Sequence, residues 1–225
     1  QLSYSKLAGS LKSAGQSHLK EKGILAKLYP SLNPVVSEMF FCRVLVLLEG
    51  NEDMAYLSSY LALQNLLPQF RKSGCHIVPV GGKSSLVKPL AMAKQLGIPV
   101  FVLFDGDTHE QNDSKKVKHK RDNKAILSLM GYEKESEWPQ DHMWKSDCVM
   151  WSQEITSVVK SEVGENWHNY LSDAEAYYDM PGDVRKNPLI ISRAIQEAWE
   201  QDEKSDSLEA LANKVVCFAK KAAQN

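Results

Sequence analysis

The residues of this chain best suited to chemistry are carboxylates at the ends of two apolar runs. Val44-Leu45-Val46-Leu47-Leu48 leads directly into Glu49-Gly50-Asn51-Glu52-Asp53, and Val100-Phe101-Val102-Leu103-Phe104 leads directly into Asp105-Gly106-Asp107. Oxygen donors gathered in this way suit a hard divalent cation such as Mg²⁺ or Mn²⁺. Glu49 ends a strongly apolar run, where a carboxylate without a partner would be costly. Asp53 stands four positions on, across a bend that Gly50 permits. It would serve equally well as an acid at the positive end of a helix. Asp105 and Asp107, two positions apart, would share one face of an extended segment, a chelating arrangement.

Other candidates lie between and beyond these acids. Gly81-Gly82-Lys83-Ser84 follows a strand-like run and opens a helical pattern, so backbone amides, Lys83 and Ser84 would face a phosphate. It is not a Walker A loop, because Ile77 occupies the place of the required glycine. A flexible turn with a solvated lysine explains the segment as well. Glu154 follows a fourth apolar run, Cys148-Val149-Met150-Trp151, and is either a further ligand or part of a helix start with Ser152 as N-cap. Lys115, Lys116, Lys118, Lys120, Arg121 and Lys124 form a basic run near Asp105. Lys120 and Arg121 are candidates for phosphate contact, against a simply solvated face. His109 reads as an exposed loop residue.

To bring these acids together the runs must be parallel strands. Strands are expected at 44–48, 76–80, 99–104 and 147–151, each short and apolar as strands buried on both faces are. Helices are expected at 52–66, 84–96 and 122–130, with Pro68 beyond the first and a polar connection from Asp107 to Lys124. The βαβαβ order implies a parallel, helix-flanked sheet, and open α/β sheets bind ligands at the carboxyl ends of their strands. Residues 1–40 read as a weakly helical lead-in, with a break near Tyr29-Pro30 and a short helix from Pro34. From Gln153 onward the pattern is helical, over 153–163, 166–177, 187–200 and 206–222. The expected division is a lead-in at 1–40, an α/β domain at 41–160 and a helical domain at 161–225.

Bulk properties narrow the classes. With 225 residues, 43% hydrophobic and 24% charged, the chain has a globular composition. A formal charge of −1 gives no global pull toward polyanions, so any such site must be local. No apolar stretch approaches the roughly 18 residues of a membrane span, and no basic n-region with an apolar h-region opens the chain. A cytoplasmic protein without membrane contact is expected. Cys42, Cys75, Cys148 and Cys217 are too scattered for zinc-ligand spacing and read as reduced core residues. A start at Gln1 without an initiator Met suggests an excised region.

A glutamate ending one strand, an acid four residues on and a later strand ending in Asp-x-Asp together resemble a Toprim domain. The text between narrows the resemblance. Val80-Gly81-Gly82-Lys83-Ser84-Ser85-Leu86, Leu96-Gly97-Ile98-Pro99-Val100 and Leu103-Phe104-Asp105-Gly106-Asp107 are similar to the OLD (overcoming lysogenisation defect) nucleases, as is the lead-in from Leu32-Asn33-Pro34 to Leu48-Glu49-Gly50. The resemblance implies a Toprim-like α/β fold with an appended helical domain and metal-dependent cleavage of DNA. It also implies an N-terminal ABC-type ATPase in the longer protein, with homo-oligomers formed through that region. It puts metal ligands at Glu49, Asp53, Asp105, Asp107 and Glu154, with Glu49 and Asp105 also catalytic. Glu49, Asp105 and Asp107 would surround one of two Mg²⁺ or Mn²⁺ ions, and Asp53 and Glu154 would favour the other. A lysine from the helical region should approach the scissile phosphate, and Asp183-Val184-Arg185-Lys186-Asn187-Pro188 marks Lys186. Asn51-Glu52 departs from the family pattern by one extra carboxylate.

Two other readings compete. Asp105-Gly106-Asp107-Thr108 also fits the Asp-x-Asp-x-Thr pattern of dehalogenase-type phosphatases, although Asn187 stands where their downstream acid would follow Gly182-Asp183. A non-catalytic Toprim module that binds DNA is the third.

Overall fold

The computed structural model describes residues 2–17, 20–179 and 186–224. The chain opens with α1 (Tyr4–Ser13), α2 (Glu21–Leu28) and the single-turn α3 (Pro34–Ser37), followed by a 3-10 turn into the sheet. Then come β1 (Val44–Leu48), α4 (Asn51–Leu63), α5 (Leu67–Lys72), β2 (Cys75–Pro79), α6 (Lys83–Leu96) and β3 (Val100–Asp105). After α7 (Asp113–Met130), β4 (Met143–Trp144) and β5 (Cys148–Trp151) complete the sheet. The tail consists of α8 (Ile155–Val163), α9 (Trp167–Tyr177), α10 (Pro188–Glu200) and α11 (Asp206–Gln224).

The sheet has the order β2-β1-β3-β5-β4. β1, β2, β3 and β5 are mutually parallel, and β4 pairs antiparallel with β5 at the edge. All five residues of β1 are fully buried, and they alternate between two cores. Val44, Val46 and Leu48 join Phe101, Leu103 and Trp151 under α4 and the tail helices. Leu45 and Leu47 join Val102, Phe104 and Met150 under α6, α7 and the lead-in helices. Each such side chain contributes about 1.5–3 kcal/mol on burial, so the strands have no freedom to slip by one residue and expose that set. The result is a three-layer α/β fold whose four parallel strands end on one edge.

The tail helices share the core of the sheet. A division at 160/161 falls inside α8, and α10 lies against both α4 and α9. Tyr60 of α4 stacks edge-on against Trp199 at 5.7 Å and accepts the buried Ser205 N–H at 2.7 Å. This contact fixes α10 beside α4.

Four local expectations need correction. The polar stretch before Lys124 is helical, since α7 begins at Asp113 with Asn112 capping Lys115 N–H at 3.1 Å. Its first half buries no apolar face, so no periodicity betrays it, and lysine-rich helix formers with a cap suffice. The first helix ends at Leu63 rather than 66, and Pro68, which lies beyond it as expected, opens a separate helix, α5, as proline does at a first helical turn. The connection between α7 and β5 contains an unexpected strand, β4. Cys217 is exposed, whereas Cys75 and Cys148 are buried. Among the described residues no helix is long and apolar enough to cross a membrane.

Candidate functional site

Register brings the acids together. Leu48 pairs with Leu103 and Asp105 with Trp151, so the segments holding Glu49, Asp105 and Glu154 leave β1, β3 and β5 as neighbours. On the other side of β1 the chain turns from β2 into α6 through Gly81 and Gly82, with φ of +78° and +127°. A side chain would be strained at either, and Gly82 N–H donates to the Glu49 carbonyl at 2.7 Å. That turn delivers Lys83 to the same edge.

Asp53 is 4% exposed, and its carboxylate accepts the Gly50 N–H at 2.7 Å. It therefore caps α4 while facing the other acids. Asp105 accepts the Ile155 N–H at 3.2 Å, which ties β3 to the start of α8. Its own N–H lies 3.5 Å from a Glu49 carboxylate oxygen. Gly106 is required by close approach, because a Cβ there would lie 2.6 Å from the carbonyl oxygens of both Trp151 and Ser152. The buried Asn123 of α7 donates to the Gly106 carbonyl at 3.0 Å and braces the loop.

Asp107 adopts φ +57°, so the segment is not extended there and the two acids do not share a face as expected. Its carboxylate pairs instead with the buried Lys83 ammonium and with His119 Nδ1, the latter at 2.8 Å. Lys83 is thus enclosed at this edge rather than open to a phosphate. Ser84 turns away and donates to Asp122, which also holds Arg121 at 2.9 Å. Lys120 and Arg121 lie on exposed turns of α7, Lys120 5.1 Å above the Trp138 ring.

The charges of the cluster are poorly compensated. Burial pushes the Asp53 carboxyl up to about 7, and the neighbouring Glu49 adds to the effect. Asp105 is held well above the usual carboxylate range, by burial first and then by Asp53, Glu49 and Asp107. Glu49 is raised by burial, with Lys83 opposing and Asp107 reinforcing. Asp53 and Asp105 are thus raised by burial and by neighbouring carboxylates, Glu49 foremost for Asp53.

Glu154 stands at the N-cap of α8, with Ser157 Oγ 3.5 Å from its carboxylate. Lys186 Nζ lies 3.5 Å from Glu52, and Glu52 followed by Glu154 and Asp105 draw its pKa upward. Asp183, Val184 and Arg185 lie outside the described residues. His119, Asn123 and Thr156 were not singled out in the sequence, and each acts through a fold contact that no motif encodes.

The donor set Glu49, Asp53 and Asp105 is all oxygen and crowded with negative charge, which fits a hard divalent cation in its chemistry. Among the described residues, no three His, Cys, Asp or Glu side chains converge as a ready-made cage. Asp53 is engaged with Gly50 and Asp107 with Lys83, so side chains would have to turn to complete one.

Residues 40–107 hold β1 through β3 and the Asp105-Gly106-Asp107 loop. They match the family described as overcoming lysogenization defect protein-like, TOPRIM domain. The chain carries an OLD-like Toprim domain. The C-terminal region of the Burkholderia pseudomallei OLD protein aligns with a TM-score of 0.51 and 16% identity, over 81% of this chain and 99% of that one. At that identity the likeness is one of fold, and it extends past the Toprim segment into the tail helices. The C-terminal region of the Xanthomonas campestris pv. campestris OLD protein aligns with a TM-score of 0.39 and 14% identity, over 82% of this chain and 94% of that one. Comparison with curated proteins returns no match. In the Toprim domain of this chain, then, Glu49 closes β1 and the Asp105-Gly106-Asp107 loop closes β3.

Proposed function

We propose that the chain is a metal-dependent DNA endonuclease that uses Mg²⁺ or Mn²⁺. In this reading it is the nuclease region of a longer protein with an N-terminal ABC-type ATPase. The observation that carries the reading is the buried, mutually repelling group of Glu49, Asp53 and Asp105 on one sheet edge, with Lys186 beside it. A site of this kind has bound charge to neutralise and an ammonium placed for a phosphate.

Glu49, Asp53, Asp105, Asp107 and Glu154 would hold the cations, two in this reading, once Asp107 leaves Lys83 and His119. The bound metal would supply an activated water and offset charge on the leaving oxygen. Lys186 counters the charge that develops on the phosphate. Ile155 N–H keeps Asp105 oriented, and Gly106 keeps β3 and β5 close enough for both to reach the edge. Lys120 and Arg121 take the DNA backbone farther out, as cations on an exposed helix can.

The test is cleavage of supercoiled plasmid with Mg²⁺ or Mn²⁺. Nicking should vanish with EDTA and in Asp105→Ala, whose circular dichroism should match the wild type. Cleavage that survives Asp105→Ala would sink the reading, as would turnover of p-nitrophenyl phosphate in place of DNA.

A further inference from the structure

Glu52 is the carboxylate without a role in the assignments above, and the fold gives it specific partners. Successive residues of an α-helix point about 100° apart, so Glu52 and Asp53 leave the first turn of α4 in different directions. Asp53 returns to Gly50. Glu52 points toward the tail, where one carboxylate oxygen accepts the Thr156 hydroxyl at 2.6 Å and the other lies 3.5 Å from Lys186 Nζ. Thr156 follows Ile155, whose N–H holds Asp105, so the anchor of Glu52 is one residue from an atom touching the acid cluster. The hydroxyl of the buried Tyr56, one turn along α4, also interacts with Thr156. Glu52, Thr156 and Lys186 line a cleft of about 410 Å³ that also includes Glu154 and Lys160.

Lys186 is 78% exposed on its side chain, and an ion pair so open to water adds little to stability. What the pair does supply is direction. A lysine free in solvent samples many rotamers, whereas one facing a carboxylate already fixed by a hydroxyl is held on one side of α4. We propose that Glu52 is a positioning residue that, anchored by Thr156, holds the Lys186 ammonium beside the acid edge where a phosphodiester enters. This rests on the nuclease reading for the role of Lys186. Both Glu52 oxygens are engaged, one by the Thr156 hydroxyl and one facing Lys186, so in this proposal the extra carboxylate serves the lysine rather than the cation.

The experiment has two arms on the full chain. In the first, without divalent cation, lysines are pulse-labelled with an amine-reactive acetyl ester and read by peptide mass spectrometry, with Lys160 as internal reference. Lys186 should label about two- to fivefold faster in Glu52→Gln, the range that an exposed pair commands. Thr156→Val should move in the same direction and Thr156→Ser should match the wild type. Equal labelling of Lys186 in wild type and Glu52→Gln overturns the proposal. In the second arm, Glu52→Gln should lower kcat for plasmid cleavage about tenfold, as misplacing a group near the chemistry does, while KM and the Mn²⁺ midpoint stay in place. Lys186→Met should lose more, and the double variant should be no slower than Lys186→Met alone. A shifted Mn²⁺ midpoint or additive losses would make Glu52 a ligand and overturn the proposal. A wild type that never cleaves strikes the nuclease reading, and the labelling arm then decides the Glu52–Lys186 link by itself.

Discussion

Replacing Asp53 with asparagine should stabilise the metal-free protein, and the gain should grow with pH. The Asp53 carboxyl ordinarily titrates at 3.8, and in the fold it is pushed up to about 7, chiefly by burial and then by Glu49. Between those values the native state holds a proton that the unfolded state has lost, so stability falls as pH rises. Below about 3.8 there is no penalty, and above about 7 it is fully present. At about 1.4 kcal/mol per pH unit the full cost is on the order of 4 kcal/mol, of which about half is already present at pH 5.5. Asparagine keeps an oxygen to accept the Gly50 N–H, so the cap of α4 survives while the charge disappears.

Thermal melts in EDTA should therefore show Asp53→Asn above the wild type, by about 2 kcal/mol more at pH 8 than at pH 5.5. At about 2–4 °C per kcal/mol for a chain of this size, the pH-dependent part is about 4–8 °C. Adding Mg²⁺ or Mn²⁺ at pH 8 should raise the wild type by about 2.7 kcal/mol at a hundredfold excess over Kd, and the variant by less. A variant that melts below the wild type at pH 8, or a gain independent of pH, would refute the idea that the cluster is strained by its own charge.

Four further outcomes follow from the geometry. Lys83→Met leaves Asp107 without its buried partner and should cost about 3–5 kcal/mol without metal, a loss that Mn²⁺ partly restores in melts. Gly106→Ala forces a Cβ to within 2.6 Å of two carbonyl oxygens and should cost about 3 kcal/mol or more, read by urea denaturation. Tyr60→Phe strands the buried Ser205 N–H, costing about 1–3 kcal/mol and loosening α10 from α4 by hydrogen exchange. Removing Lys120 and Arg121 should lower the slope of log affinity for DNA against log salt by about one per cation, equally for unrelated sequences. An unchanged slope would take α7 out of the interface.

What the sequence revealed follows from which forces leave a local trace. β1 and β3 could be read because strands buried on both faces are continuous apolar runs, and an acid after such a run stands out. The parallel order could be read from the alternation of strands and helices. The first half of α7 could not, because an exposed basic helix leaves no apolar period. The pairing of Lys83 with Asp107 was hidden for a different reason. Gly81-Gly82-Lys83 looks like a phosphate turn in isolation, and only the adjacency of β2, β1 and β3 shows that a nearer anion, Asp107, already holds the lysine. Motif reading assigns a side chain to a ligand, while the fold first offers it every neighbour.

The same competition explains how two adjacent acids at the start of α4 divide their work. Asp53 is short, buried and one turn from the end of β1, so it reaches back to Gly50 and crowds Glu49 and Asp105. Glu52 is longer and a hundred degrees away, so it reaches Thr156 and Lys186. A sequence shows Asn51-Glu52-Asp53 as one acidic cluster. Helix phase makes it two, one facing Glu49 and Asp105 and one facing a lysine. The distinction carries a cost that can be measured. Exchanging the lengths of the two carboxylates, as in Glu52→Asp with Asp53→Glu, keeps composition and net charge. It should nevertheless force a longer side chain into the buried space Asp53 fills, leave Lys186 beyond the reach of a shorter side chain, and lower the melting temperature along with any cleavage. A swapped chain that melted and labelled like the wild type would mean that charge alone, rather than the reach and direction of each side chain, organises this edge.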